Sequence, residues 1–145
     1  MKRVRLDLTG DDDGFTMIEL LVVIIIIGIL AAIAIPVYLN QRNKGYDAQA
    51  KSDLRNFASF EEIYLNDYQT YGTGFNVQTT EPHIQHSPNV TLRVVSFTGS
   101  NGYCLEATTS TGHNWFYDSL AGGLQPSTAT ACPTTYTTTD GVPVS

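Results

Sequence analysis

The most informative feature of the chain is an uneven distribution of apolar positions. From Leu20 to Leu39 no residue carries a charge, and nearly every side chain is apolar. At ~1.5 Å per helical residue this stretch spans roughly 30 Å, the thickness of a bilayer's hydrocarbon core. It is apolar on every side, so it has no polar face to turn toward water. Ile and Val dominate it, yet its length and its Leu and Ala content predict a helix. In lipid a helix satisfies its own backbone groups, which favours the same answer. A polar collar follows, Asn40-Gln41-Arg42-Asn43-Lys44. Beyond it Tyr46, Ala50, Leu54, Phe57, Phe60, Tyr64 and Tyr68 recur at steps averaging about 3.7, the period of an amphipathic helix. Asp47 and Lys51 stand at i, i+4 in the favourable order and predict an ion pair on the exposed side. Gly45 is a weak point, and Gly72 and Gly74 act as stop signals. One helix from Phe15 to about Tyr71, roughly 85 Å long, is predicted. Its aromatic stripe reads as packing against a sheet rather than as a stacking site for a ligand.

The second half of the chain changes period. Phe75 to Pro88 is loop-like. Val90–Phe97, Tyr103–Thr109 and Trp115–Tyr117 read as strands, rich in β-branched and aromatic residues. Gly99-Ser100-Asn101-Gly102 and Thr111-Gly112-His113-Asn114 are turn clusters, and Gly122-Gly123 closes the third strand. Short strands joined by tight turns form an antiparallel meander, which needs a partner to bury one face. The amphipathic helix supplies it. The fold class is therefore α+β: a long N-terminal α-helix, half apolar and half amphipathic, packed on a small antiparallel β-sheet head.

Composition narrows the function. The 145 residues suffice for one compact domain plus an anchor. The formal net charge is −6, and seven of the eight basic residues lie in the first 55 positions. General nucleic-acid binding, which needs clustered Lys and Arg, is not expected. No Ser/His/Asp arrangement, phosphate-binding glycine loop or paired-carboxylate site is evident, so no catalytic residue and no cofactor are expected. His83-Ile84-Gln85-His86 is an isolated His-x-x-His, read as a solvated loop rather than a metal site. His113 sits in a turn, and Glu61-Glu62 read as a solvated helix face. Asn89-Val90-Thr91 is formally a glycosylation sequon. The Thr- and Ser-rich tail from Ser127 to Ser145 reads as surface coil or as a site of O-glycosylation.

Three readings compete for the N-terminus. It can be a plain single-pass anchor. It can be a secretory signal peptide, with Lys2, Arg3 and Arg5 ahead of the apolar run and Ala32-Ile33-Ala34 as a cleavage site. Against this, Asp11, Asp12 and Asp13 precede the run, and the run continues to Leu39. The third reading starts from Glu19 at the mouth of the apolar stretch. A carboxylate deep in a membrane costs roughly 2.5–3.5 kcal/mol, so it calls for a partner or a function.

Gly14-Phe15-Thr16-Met17-Ile18-Glu19-Leu20-Leu21, continuing to Pro36, resembles the class III signal and N-terminal helix of type IV pilins and pseudopilins. The likeness covers the first third of the chain. It implies that a prepilin peptidase cuts after Gly14 and methylates the amine of Phe15. It implies that Glu19 is the acid at the fifth mature position, which pairs with a neighbour's terminal ammonium during assembly. It implies that Pro36 is the helix-bending proline. Each role is physically reasonable. Gly14 leaves the scissile bond unhindered, the pairing offsets two charges in lipid, and proline removes a helical hydrogen bond. Gly28 permits close approach of another helix. Many leaders of the family carry Lys or Arg where this one has Asp11 to Asp13. Basic residues flank the span on both sides (Lys2, Arg3 and Arg5; Arg42, Lys44 and Lys51), so the positive-inside rule is nearly silent. An exported C-terminal part rests on the resemblance and on the cysteines. Tyr103-Cys104-Leu105 and Trp115-Phe116-Tyr117-Asp118-Ser119, with Gly122-Gly123-Leu124, further resemble major pilins of Gram-positive bacteria.

The resemblance divides the chain into a leader (1–14), an assembly helix (15–39), an amphipathic helix (40–72) and a head (73–145). Cys104 and Cys132, the only cysteines, are expected to form a disulfide in an oxidising compartment, as many pilins close a C-terminal loop. Two separate buried thiols are the alternative. The implied protein is not an enzyme but a filament subunit serving adhesion, motility or DNA uptake. Its implied partners are further copies of itself, the prepilin peptidase, an assembly platform with its ATPase, and the membrane. It would sit in the cell membrane as a single-pass protein and then in an extracellular pilus. The alternatives are a pseudopilin of a type II secretion system and a membrane-anchored extracellular binding module.

Overall fold

The computed structural model describes residues 14–74 and 84–137, together with the backbone of two short strands near the C-terminus. Helix α1 runs Met17–Tyr68 and contains Pro36. The chain divides into two compact units, Met1–Leu39 and Asn40–Ser145. His83 and most of the loop-like stretch before Pro88 lie outside the described residues.

In the second unit the predicted stripe is the buried face of α1. Ala50, Leu54 and Phe57 are fully buried, and Tyr64 is nearly so. Tyr46 and Phe60 are half-buried, while Tyr68 is exposed and stacks on Tyr64, ring centroids 4.4 Å apart. The helix ends at Tyr68, earlier than the glycines suggest. Gln69 takes the left-handed conformation (φ 58°), and its side-chain amide donates to the Asn66 carbonyl at 3.0 Å. The chain then leaves the helix axis as the Tyr71 amide donates to the Gly99 carbonyl at 3.0 Å. Glu61 is no solvated residue. It is fully buried, and its carboxylate accepts from the Gly72 amide at 2.8 Å. A buried acid thus holds the segment after the helix against it. Asp53 does the same for the segment before the first strand, accepting from the Ser87 amide at 2.8 Å. The expected Asp47–Lys51 ion pair is not formed, because both side chains turn toward the sheet instead.

The sheet is built from β1 (Val90–Thr98), β2 (Gly102–Thr109), β3 (Asn114–Asp118), β4 (Gly123–Leu124), β5 (Thr138–Thr139) and β6 (Pro143–Val144). The first three form the predicted antiparallel meander. The strand order is β4-β3-β2-β1-β5, with β6 also pairing with β1. Part of the tail expected to be coil therefore completes the sheet. A bulge lies between Val94 and Ser96. Ahead of it Val90, Leu92 and Val94 face the helix; after it Phe97 pairs with Tyr103 on that same face. The extra residue restores an apolar face that strict alternation would have lost. The core between helix and sheet joins Leu54, Phe57 and Ala58 to Leu92, Val94, Leu105 and Ala107. Tyr103 lies within it, its ring edge-on to Tyr71 at 4.6 Å, its hydroxyl 3.2 Å from the Ala58 carbonyl. Burial, and then the charge of Glu62, pushes that hydroxyl's pKa well above its usual value.

The other face of the sheet has its own small core. Cys104, Phe116 and Tyr136 are buried together, with Ala129 and Cys132 against them. Cys104 and Cys132 form a disulfide with a Cα–Cα distance of 6.2 Å. Asp118, fully buried beside it, is the anchor of this layer. One carboxylate oxygen accepts from the Tyr136 hydroxyl at 2.6 Å and from the amides of Leu120 and Ala121 at 3.0 Å. The other accepts from the Thr134 amide at 3.0 Å. Burial alone would raise the Asp118 pKa, but these donors outweigh it and hold the acid below the usual carboxylate range. On the same strands Arg93 covers buried Glu106 in a cross-strand ion pair.

Two outcomes follow from this layer. Replacing both cysteines with serine opens a loop whose ends are 28 positions apart. It should lower head stability by about 3–4 kcal/mol in the chain-entropy picture, read by denaturant unfolding. An acid with a depressed folded pKa stabilises above its unfolded value of about 3.9, and that contribution is lost as pH falls through the folded value. Asp118→Asn should therefore cost about 1–3 kcal/mol near neutral pH. Thermal melts in acid should show the gap to the parent closing, and an equal gap at both pH values would contradict this role.

Candidate processing and assembly site

In the first unit, three non-helical residues, Gly14 to Thr16, precede α1. A Cβ placed on Gly14 would meet nothing within 4 Å, and Phe15 is 86% exposed. The Gly14–Phe15 bond thus lies in open, non-helical backbone, the form in which a peptide bond can enter another protein's cleft.

The helix opens with reciprocal capping. The Thr16 hydroxyl accepts from the Glu19 amide at 3.3 Å, while Glu19 Oε2 accepts from the Thr16 amide at 3.1 Å and its hydroxyl at 2.8 Å. This is a capping box, and it sets the start of α1 one residue after Thr16. It also places the carboxylate at the positive end of the helix dipole. Thr16 was not among the expected site residues. The Thr-x-x-Glu spacing ahead of an apolar run was the signal that could have found it.

Among the described residues Glu19 is the one charge in an otherwise apolar setting. Phe15, Ile18, Val22 and Val23 share a shallow groove of about 380 Å³ with it. From Phe15 to Leu39 the large apolar side chains are between 47% and 92% exposed. The helix is long and apolar enough to cross a membrane, with a mean hydropathy of 3.3 in its most apolar window. Gly28 meets nothing within 4 Å, and Pro36 lies within the helix, where it cannot donate to the ladder. The arrangement offers one fixed anion at a helix start and an apolar surface with room for other helices. Among the described residues no group of three His, Cys, Asp or Glu side chains could hold a metal ion. The cysteine pair belongs to the head, apart from this site in sequence, and is joined as described above.

Comparison with known proteins bears on this segment and on the rest of the chain. Residues 11–35 match the family model described as the prokaryotic N-terminal methylation motif. Over 104 residues the chain is 39% identical to the type IV wide pilus major component PilA4 of Thermus thermophilus, covering 71% of this chain and 78% of that protein. It is 32% identical over 78 residues to the type II secretion system core protein G of Pectobacterium carotovorum, covering 52% of this chain and 50% of that protein. It is 38% identical over 58 residues to the type IV major pilin PilA of Myxococcus xanthus, 40% of this chain and 26% of that one. The Thermus alignment is twice as long as the 52 residues of α1, so the likeness does not rest on the apolar helix alone. The chain belongs to the family of type IV pilins and pseudopilins.

Proposed function

We propose that the chain is the precursor of a structural subunit of a type IV pilus. Residues 1–14 are the leader, removed by a prepilin peptidase. The cut exposes the amine of Phe15, which the same enzyme methylates. Residues 15–39 hold the subunit in the cell membrane as a single-pass segment and then pack against other copies in the filament. Residues 40–72 cover the sheet, and residues 73–145 form the filament's outer surface. The subunit itself performs no catalysis. An assembly platform and its ATPase lift it out of the bilayer.

The observation that carries this reading is the length of the match to a pilus major component, which covers most of both chains. The chemistry of the N-terminus is consistent with it. Cleavage after Gly14 creates an ammonium at the edge of an apolar helix. Glu19 of a neighbouring copy is the counter-charge, and pairing lets both enter a low-dielectric bundle. In the single subunit Glu19 is hydrogen-bonded by Thr16, so its charge is partly satisfied before assembly. Pro36 is then the place where the helix yields to neighbours.

A second reading, a pseudopilin of a type II secretion system, is favoured by the matches to core protein G, which span about half of the chain. Deletion separates the two readings: loss of surface fibres supports the pilus, and loss of protein secretion with no fibres to lose supports the pseudopilin.

Two substitutions test the pilus reading. Gly14→Val, which puts a branched side chain beside the scissile bond, should leave the chain at precursor mass in the membrane. Glu19→Gln should be cut normally yet enter sheared fibres at least about tenfold less, since an uncompensated charge in lipid costs roughly 2.5–3.5 kcal/mol. Normal fibre yield from Glu19→Gln would contradict the pairing.

A further inference from the structure

A second polar site lies in the head, apart in sequence from the residues of the candidate processing and assembly site. Asp47 on α1 faces the turn between β2 and β3. His113 Nδ1 is 3.0 Å from Asp47 Oδ1; a carboxylate only accepts, so Nδ1 carries the hydrogen. The Trp115 indole donates to the same oxygen at 3.2 Å. Asp47 is thus held by two donors on one oxygen, while Oδ2 is engaged less closely, 3.3 Å from Nδ1. One turn along α1, the Lys51 ammonium lies 3.8 Å from the centroid of the Trp115 ring. It rests on the indole face, and Lys51 is not among the residues that line the adjoining cleft.

These groups border an open cleft of about 470 Å³, lined by Asp47, His113, Asn114, Trp115, Ser127 and Thr130 among others. The far wall is fixed in place. The Gln125 amide donates to the Phe116 carbonyl at 2.8 Å, the Ala129 amide to the Pro126 carbonyl at 3.0 Å, and Cys132 is bonded to Cys104. His113, Asn114, Ser127 and Thr130 are all exposed. No hydrogen bond engages His113 Nε2 among the described residues.

The lining selects a ligand class. It contains no Lys or Arg, and its one carboxylate repels anions. That carboxylate is already met by an imidazole N–H and an indole N–H, so a cation gains little there. One imidazole and one carboxylate are too few for a metal. What remains is a set of short hydrogen-bonding groups: a fixed carboxylate oxygen, an imidazole nitrogen, an amide and two hydroxyls. They stand around a nearly buried indole, 9% exposed, and the small apolar side chain of Ala129, in a space suited to a small molecule. That set matches adjacent hydroxyls on a ring with an apolar C–H face. We propose that this cleft binds a neutral saccharide, one or two sugar residues long, with Asp47 and Asn114 gripping its hydroxyls.

Trp115 is the only tryptophan in the chain, so its fluorescence reports on the site directly. The test uses the full chain in a detergent whose headgroup is not a sugar. It is titrated with methyl glycosides of glucose, galactose, mannose and N-acetylglucosamine. The expected result is a saturable change in Trp115 emission at millimolar concentration with at least one of them. Asp47→Asn and Asn114→Ala should each weaken it about tenfold or more, the loss of one hydrogen bond to a charged or well-placed group. Asn114 is exposed, so its substitution tests the site without risk to the fold. No saturable response to any of the glycosides, or an unaltered response in Asn114→Ala, would overturn the proposal. So would tighter binding of methyl glucuronide than of its neutral counterpart.

Discussion

A helix with no charge over twenty positions and no polar side is disfavoured in water, and the features of the N-terminal unit answer to that constraint. Its large apolar side chains are nearly half exposed or more in the single chain. Lipid covers such a surface, and so do copies of the same helix. On the proposed function, the two environments are close enough in polarity for a subunit to move between them, because exchanging lipid contacts for helix contacts buries little new polar surface. The one charge at the helix start is the exception. The capping box with Thr16 lowers the cost of keeping Glu19 there while leaving the carboxylate at the end that other molecules can reach.

The head solves a different problem. A three-stranded meander with two faces needs cover on both. The amphipathic half of α1 covers one, through Leu54, Phe57 and Ala58. The C-terminal segment covers the other, through Tyr136, Ala129 and the disulfide. Buried carboxylates do much of the joining. Asp53, Glu61 and Asp118 each accept backbone amides from segments that have no regular structure of their own. In each case a carboxyl oxygen accepts from a backbone donor that the fold would otherwise leave without a protein partner. Stability of the head therefore rests on fixed loops as much as on apolar contact.

Much of this was legible in the residues, and most of what was not depends on contacts across the completed fold. The apolar stretch, the helical stripe and the three main strands carry their own periods, and each was found. The capping box is the exception: Thr16 and Glu19 are three residues apart, a local pattern that the stronger signal of the acid obscures. Glu61 was misread as solvated because adjacent acids on a helix usually are; its burial depends on Gly72, which the chain brings back only after the turn at Gln69. The cluster of Asp47, His113 and Trp115 joins positions 66 and 68 apart in sequence, and no spacing rule reaches that far. Strands β5 and β6 have two residues each, too few to show any alternation. Local pattern revealed the elements, while contacts that depend on the completed fold were invisible until the fold was known.

On the proposed function, one chain is first a membrane protein with a cleavable leader and then a filament subunit. The most direct measurement is the mass and N-terminal sequence of the protein recovered from sheared surface fibres. The expected chain begins at Phe15 and carries one added methyl group, with its two cysteines oxidised. A chain beginning at Ile35, after Ala34, would mean an ordinary secretory signal and would contradict it.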